Sequence, residues 1–307
     1  MSTENRIIAN QVLVVGLGLI GASFAKALKD SHACSRVLGC TRSAITLQKA
    51  LTQGVIDWGT VTLAEAVAHL DEGDVILLAT PTLVVPQQLA QLKEALMRGV
   101  IVTDAASVKG DLAAKAKEFF GKIPSHLVLG HPIAGSEKSG IDAINQRLFE
   151  KHRVILTPLA ETNRDAVKKV TLLWESMGAL VSEMTVEEHD RILAATSHLP
   201  HVLAFGLVNA LAKKSDQKDI FTYAAGGFRD FTRIAGSDPQ MWHDIVIANR
   251  EAILSALDEF EKSMLQLREA IDKGNSAKLM QVFTEAKAAR DAFSVILAQR
   301  EISAGSK

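Results

Sequence analysis

Three groups of residues in this 307-residue chain could do chemistry together. The first is Gly16-Leu17-Gly18-Leu19-Ile20-Gly21, which follows the apolar run 12–15 and opens a helical pattern. In that setting Gly16 permits a tight turn, Gly18 lets a pyrophosphate approach the backbone, and Gly21 lets helix pack on strand. The phosphates then meet the free N–H groups and the positive end of the helix dipole. A glycine turn without a ligand is the alternative, and the strand–turn–helix context argues against it. About 20 residues beyond the third glycine, an NAD site carries an acid for the ribose hydroxyls. Here that stretch reads Thr41-Arg42-Ser43, with no carboxylate. An arginine between two hydroxyls suits a 2′-phosphate, so the pattern favours NADP over NAD; the alternative is that Arg42 is a solvated loop residue. Thr80, just after the run 74–79, is assigned to the same cofactor group.

The second group comprises the segments 103–110 (TDAASVKG) and 130–140 (GHPIAGSEKSG), each just after an apolar run. His131, flanked by glycines and a rigid proline at a strand end, is as much a candidate catalytic imidazole as a structural one. The third group is 196–201 (TSHLPH). Nothing has the spacing of a metal site, and Cys34 and Cys40 match no zinc pattern or disulfide framework.

The elements that must position these residues alternate. Runs at 11–15, 36–40, 74–79, 100–104, 127–130 and 153–157 are short, and most are apolar throughout, as in strands buried on both faces. Helical periodicity separates them. This predicts an α/β, N-terminal Rossmann-type parallel-sheet domain, with its ligands at the C-terminal strand ends. A last strand-like run, 179–184, is expected at an edge. Beyond residue 185 the pattern is helical. A helix over 186–213 is expected to be interrupted or kinked near Pro200. Asp238-Pro239 starts another helix, which runs to Lys273 and ends at Gly274. These signals divide the chain into a dinucleotide-binding domain, 1–185, and an all-helical domain, 186–307, for substrate binding and dimerisation. Ile253, Leu257, Phe260, Met264, Leu267 and Ile271 form one apolar stripe. It packs either inside its own domain or, as its coiled-coil-like spacing favours, against a second copy.

Composition narrows the class of partner. Lys and Arg number 34 and Asp and Glu 35, so no basic field exists for nucleic acid or an anionic membrane. The N-terminus has no signal-peptide apolar stretch, and the apolar runs are too short to span a bilayer. A cytoplasmic enzyme with reduced thiols and a small-molecule substrate is expected.

The motifs VVGLGLIGASFA, VTDAASVKG, GHPIAGSEKSG, ATSHLPH and GGFRDFTRIAGSDPQMW together resemble the prephenate/arogenate (cyclohexadienyl) dehydrogenases of tyrosine biosynthesis, over nearly the whole chain. The resemblance implies an oxidative decarboxylation. A hydride leaves the ring carbon bearing the hydroxyl, and the ring loses carbon dioxide and becomes aromatic. It implies that His131 is the general base or hydrogen-bond acceptor for the ring hydroxyl, and that Ser107 orients the hydroxyl and the histidine. An imidazole titrating near neutrality suits that work. It places Arg233 on a substrate carboxylate and puts Ser197, His201, Glu137 and Trp242 in the substrate pocket. The bland readings of those four are a helix cap, a core histidine, a surface acid and a core indole. Some relatives carry a fused chorismate mutase or a regulatory domain, for which this chain is expected to have no room. The competing readings are a β-hydroxyacid dehydrogenase, which uses a lysine where this chain has residues 197–201, and a non-catalytic dinucleotide sensor.

Overall fold

The computed structural model describes residues 7–135 and 140–305. Nine strands are formed: β1 Ala9–Val15, β2 Cys34–Cys40, β3 Trp58–Thr60, β4 Val75–Leu78, β5 Ile101–Asp104, β6 Leu127–Val128, β7 Gly130–Pro132, β8 Arg153–Leu156 and β9 Leu180–Glu183. The first six make one parallel sheet in the order β3-β2-β1-β4-β5-β6. The order reverses between β1 and β4, the switch point at which doubly wound sheets hold their ligands.

Alternation explains the apolar runs. Val12, Val14, Val75 and Leu77 face a core completed by Phe24, Val170 and Trp174. Leu13, Val15, Ile76 and Leu78 face the opposite core, completed by Leu89, Leu96, Leu112 and Ala116. Strands with helices on both sides have no solvated face to carry polar residues.

Two expectations need correction. Residues 127–130 do not form one strand. The chain leaves the large sheet after Val128, and β7 pairs antiparallel with β8 in a second sheet, β7-β8-β9. Gly130 is drawn aside because its N–H donates to Asp104 Oδ1 at 3.1 Å and its carbonyl accepts from Lys109 Nζ at 2.6 Å. The run 179–184 does supply an edge strand, β9, but in this second sheet. The strand β3 carries no signal in the sequence, because three residues, Trp58-Gly59-Thr60, show no periodicity.

Contacts group the chain into two compact units, Met1–Ile253 and Leu254–Lys307. In the first, helix Val186–Leu193 passes through a π turn, Ala194–His198, into helix Leu199–Ala212. Leu199 N–H reaches back five residues to the Ala194 carbonyl, and Pro200 falls in the first helical turn, where a missing N–H costs little. This is the interruption the sequence implies. By length and composition the run Val186–Ala212 is apolar enough to cross a bilayer, contrary to the reading that every apolar run is too short. Bonds from Asp190 to the backbone of Lys109 and Gly110 tie it to the sheet domain instead. Residues 217–236, for which no element was expected, fold into two short helices and a 3-10 turn starting at Arg233. The helix begun by Asp238 breaks at Asn249 and resumes as Arg250–Asp272. The second unit consists of the rest of that helix and helix Ser276–Gly305, joined through Gly274.

Candidate active site

The glycine turn is built for close approach. Gly16 has φ +95°, and a side chain there would meet the Ala79 carbonyl oxygen at 2.5 Å; at Gly21 one would meet the Gly16 carbonyl oxygen at 1.9 Å. Gly18 differs, since nothing lies within 4 Å of where its Cβ would be. It precedes helix Leu19–Asp30, whose first turn has no side-chain cap and no acidic residue. The free N–H groups of that turn suit a diphosphate. The residues therefore fit a dinucleotide. The adjoining cleft is lined by Gly16, Gly18, Thr41, Arg42 and Thr80, and also by Val61, Pro81 and Val84, which the sequence reading missed. Thr80 Oγ1 donates to Gln88 Oε1 at 2.6 Å. Leu19 and Ile20 open the helix and do not line the cleft. Ser43 does not line it either; its Oγ caps helix Ala44–Thr52 by accepting from Thr46 N–H at 3.1 Å.

His131 is buried in β7. Its Nδ1 lies 2.9 Å from His189 Nε2, and His189 Nδ1 lies 2.7 Å from Asp190 Oδ1. Asp190 also accepts from Lys109 N–H at 2.9 Å and from Gly110 N–H at 2.7 Å. Lys109, itself fully buried, pairs with Asp104 and donates to the Gly130 carbonyl one residue before His131. These bonds pin the segment after β5, which carries half-buried Ser107, against the strand that carries His131.

Electrostatics follow from this packing. Burial, then the charges of His189, Lys109 and His198, push the His131 pKa well below 6.5. Burial likewise lowers His189, against the pull of Asp190. For Asp190, burial opposes ionisation, but the bonds from His189 and from the Lys109 and Gly110 amides win and hold its carboxyl below the usual range. An imidazole titrating near neutrality is thus not what the fold provides.

The helical side of the first unit brings together Ser197, His201 and Trp242. His201 Nδ1 donates to the Ser197 carbonyl at 2.8 Å, and its ring stacks on Trp242 with centroids 3.5 Å apart. Trp242 is buried against Val108, the neighbour of Ser107, and its indole N–H finds no acceptor among the described residues. Burial, countered by the Ser197 carbonyl and reinforced by the charge of Arg233, lowers the His201 pKa. Arg233 is therefore close enough to act on this group, and it is exposed. Glu137 lies outside the described residues.

His189, Asp190 and Asn249 escaped the sequence reading. Asn249 Nδ2 donates to the Asp190 carbonyl at 2.9 Å and lies 3.0 Å from His198 Nδ1. A signal for the first two was present. Val186, His189, Asp190 and Leu193 are the buried face of their helix, at spacings where apolar residues belong.

Comparison with known proteins agrees with this architecture. The family model "Prephenate dehydrogenase, nucleotide-binding domain" matches residues 24–183, and "Prephenate dehydrogenase, dimerization domain" matches residues 185–285. The chain is 37% identical to the cyclohexadienyl dehydrogenase of Zymomonas mobilis, covering 91% of this chain and 94% of that protein. It is 36% identical to the prephenate dehydrogenase of Bacillus subtilis, covering 91% and 75%. The structure resembles prephenate dehydrogenase from Aquifex aeolicus in complex with hydroxyphenyl propionate and NAD+, with a TM-score of 0.86, 38% identity, and coverage of 92% and 98%. It also resembles Synechocystis arogenate dehydrogenase, with a TM-score of 0.76, 29% identity, and coverage of 92% and 99%. A glycine turn fitted to a dinucleotide, a buried histidine in a hydrogen-bonded network and two family domains in series all agree: the chain belongs to the prephenate dehydrogenase family and is a nicotinamide-dinucleotide-dependent oxidoreductase.

Proposed function

We propose that this enzyme converts prephenate and/or arogenate to 4-hydroxyphenylpyruvate and/or tyrosine, in tyrosine biosynthesis, using NADP in preference to NAD. The observation that carries the reading is His131, buried, with its Nδ1 hydrogen-bonded to His189 and its pKa lowered by burial. Its Nε2 can therefore take the hydrogen bond or the proton of the ring hydroxyl as that carbon gains carbonyl character. The bound dinucleotide supplies the hydride acceptor. As carbon dioxide leaves and the ring becomes a phenol, the proton returns from Nε2 to the oxygen, so no net proton is released. Ser107 orients the hydroxyl. Arg233 binds a carboxylate of the substrate. Ser197, His201, Trp242 and Glu137 complete its pocket.

The preference for NADP rests on Arg42 at the cleft beside Thr41, with no carboxylate between residues 41 and 43. We assign residues 1–185 to dinucleotide binding and 186–307 to substrate binding and dimerisation. A homodimer is supported by the dimerization-domain match and by the apolar side chains left exposed on the second unit, among them Met264, Leu265, Ile271, Met280 and Phe283. A cytoplasmic location fits a metabolic dehydrogenase whose two thiols are free.

The test is a steady-state comparison of prephenate and arogenate, each with NADP and with NAD, following reduced dinucleotide and phenolic product together. Equal amounts of the two products with at least one substrate are expected. Turnover of neither substrate with either dinucleotide overturns the reading.

A further inference from the structure

We propose that His189 and Asp190 are positioning residues that fix the tautomer of His131, so that its proton stays on Nδ1 and Nε2 is left as the acceptor. The inference rests on the reaction proposed above, and the geometry supplies the direction. Asp190 takes three donors: His189 Nδ1–H at 2.7 Å and the amides of Lys109 and Gly110 at 2.9 and 2.7 Å. A carboxylate can only accept, and the two backbone amides can only donate. His189 must therefore carry its proton on Nδ1. With that nitrogen committed and its pKa lowered, the neutral ring presents a lone pair at Nε2, 2.9 Å from His131 Nδ1. His131 can complete the bond only by donating from Nδ1.

The surroundings sustain this direction. The charged groups facing the two rings are Asp190, Asp104 and Lys109, and Lys109 is neutralised by Asp104. His198 also faces them, and burial pushes it down to about 4, so it adds no positive charge near neutrality. When Nε2 takes the hydroxyl proton, the new imidazolium is stabilised through His189 by the Asp190 carboxylate. That stabilisation grows with charge, so it belongs to the transition state more than to substrate binding.

The chain also explains a local feature of the sequence. A Cβ at Gly110 would stand 2.7 Å from Asp190 Oδ2. Only glycine lets the carboxylate reach both amides at the start of helix Gly110–Phe120 and still meet His189. The Val-Lys-Gly triplet at 108–110 is thus part of the device that orients a histidine two segments away.

Two measurements test the proposal on the full-length protein with saturating dinucleotide. The first labels histidines with nitrogen-15 and reads the His131 tautomer by long-range proton–nitrogen correlation. Protonated Nδ1 and bare Nε2 are expected in the wild type, and a proton on Nε2 overturns the proposal outright, whatever any variant does. The second compares three substitutions by kcat, KM and pH profile. Asp190→Asn puts an amide donor among donors and frees the chain to reverse. His189→Phe keeps a buried ring but removes the acceptor. His189→Gln restores an acceptor near the position of Nε2. The Asn and Phe variants should lose roughly 10²-fold or more in kcat, the range for loss of a positioned base, with a much smaller change in KM. The Gln variant should recover most of that loss. Phe and Gln variants of equal activity, or an Asn variant with wild-type kcat and tautomer, would refute it. Dinucleotide binding by fluorescence titration identifies any variant that has not folded, and the wild-type tautomer then decides. If the wild type turns over neither cyclohexadienyl substrate, the proposed reaction fails while the tautomer result stands on its own.

Discussion

At the scale of single residues, the proposed reaction separates groups that act in the transition state from groups that act in binding. His131→Asn should lower kcat by about 10²–10⁴-fold, with little change in KM. Arg233→Ala should chiefly raise KM, because the carboxylate it is proposed to bind is present before and during reaction. The pH profile carries an independent sign. A base must be unprotonated to act, and burial with three positively chargeable neighbours depresses His131. The acidic limb of kcat/KM should therefore lie below pH 6.5, persist in Arg233→Ala and vanish in His131→Asn. A limb at or above 6.5 would show that the fold does not depress this imidazole. On the cofactor side, Arg42→Ala should raise KM for NADP by roughly ten-fold to a hundred-fold, the equivalent of one charge-assisted bond, and leave KM for NAD nearly unchanged. Equal effects would place Arg42 away from the 2′-phosphate.

At the scale of elements, one buried lysine ties the two sheets to each other through its ammonium and to a helix through its backbone N–H. Lys109 joins Asp104, at the end of β5, to the Gly130 carbonyl at the start of β7. Lys109→Met would leave a carboxylate buried and unpaired, a change that costs about 3–5 kcal/mol. A fall in unfolding free energy of that size, seen as a lower denaturant midpoint at unchanged slope, is the expected reading. Three buried histidines add a pH-dependent component. His131, His189 and His198 are all harder to protonate folded than unfolded, His198 down to about 4. Between the unfolded value near 6.5 and those lower values, the unfolded chain binds protons that the folded one does not. Stability is therefore full above about pH 6.5 and falls as pH drops through the window. His198 alone accounts for about 3 kcal/mol between pH 6.5 and 4. Thermal melts of wild type and His198→Asn across that range should converge as pH falls.

At the scale of the whole molecule, the second unit exposes more large apolar side chains than a small pair of helices normally leaves to water. Met264 is 45% exposed, Leu265 64% and Ile271 66%. The stripe identified in the sequence is divided: Ile253 is buried in the single chain, Leu257, Phe260 and Leu267 are half-buried, and Met264 and Ile271 are open. Substitutions at the open positions test association without disturbing the folded chain. Wild-type protein should sediment as a dimer at micromolar concentration, and Met264→Lys with Ile271→Lys should shift it toward monomer at unchanged helix content. A monomeric wild type would exclude the homodimer.

The amino-acid sequence by itself determined whatever is written in local spacing. Continuous apolar runs required strands covered on both sides. The Gly16–Gly18–Gly21 pattern required a tight turn into a helix, because Gly16 and Gly21 leave no space for a Cβ. Asp238-Pro239 marked a helix start through a side-chain cap and a fixed φ, and Gly274 a helix end through its positive φ. Tertiary structure alone decided what depends on groups far apart in the chain. The departure of β7 from the main sheet turns on Asp104 and Lys109 claiming the backbone of Gly130, more than 20 positions away. The depressed pKa of His131 arises from burial and from His189, 58 residues on. Asp190 and His189 were given no role from the sequence, since a polar residue at a core position acquires meaning only from the partner that satisfies it. Local periodicity records which face is hidden; it carries no record of which buried donor will meet which acceptor, and in this protein that pairing joins His131 to His189 and Asp190.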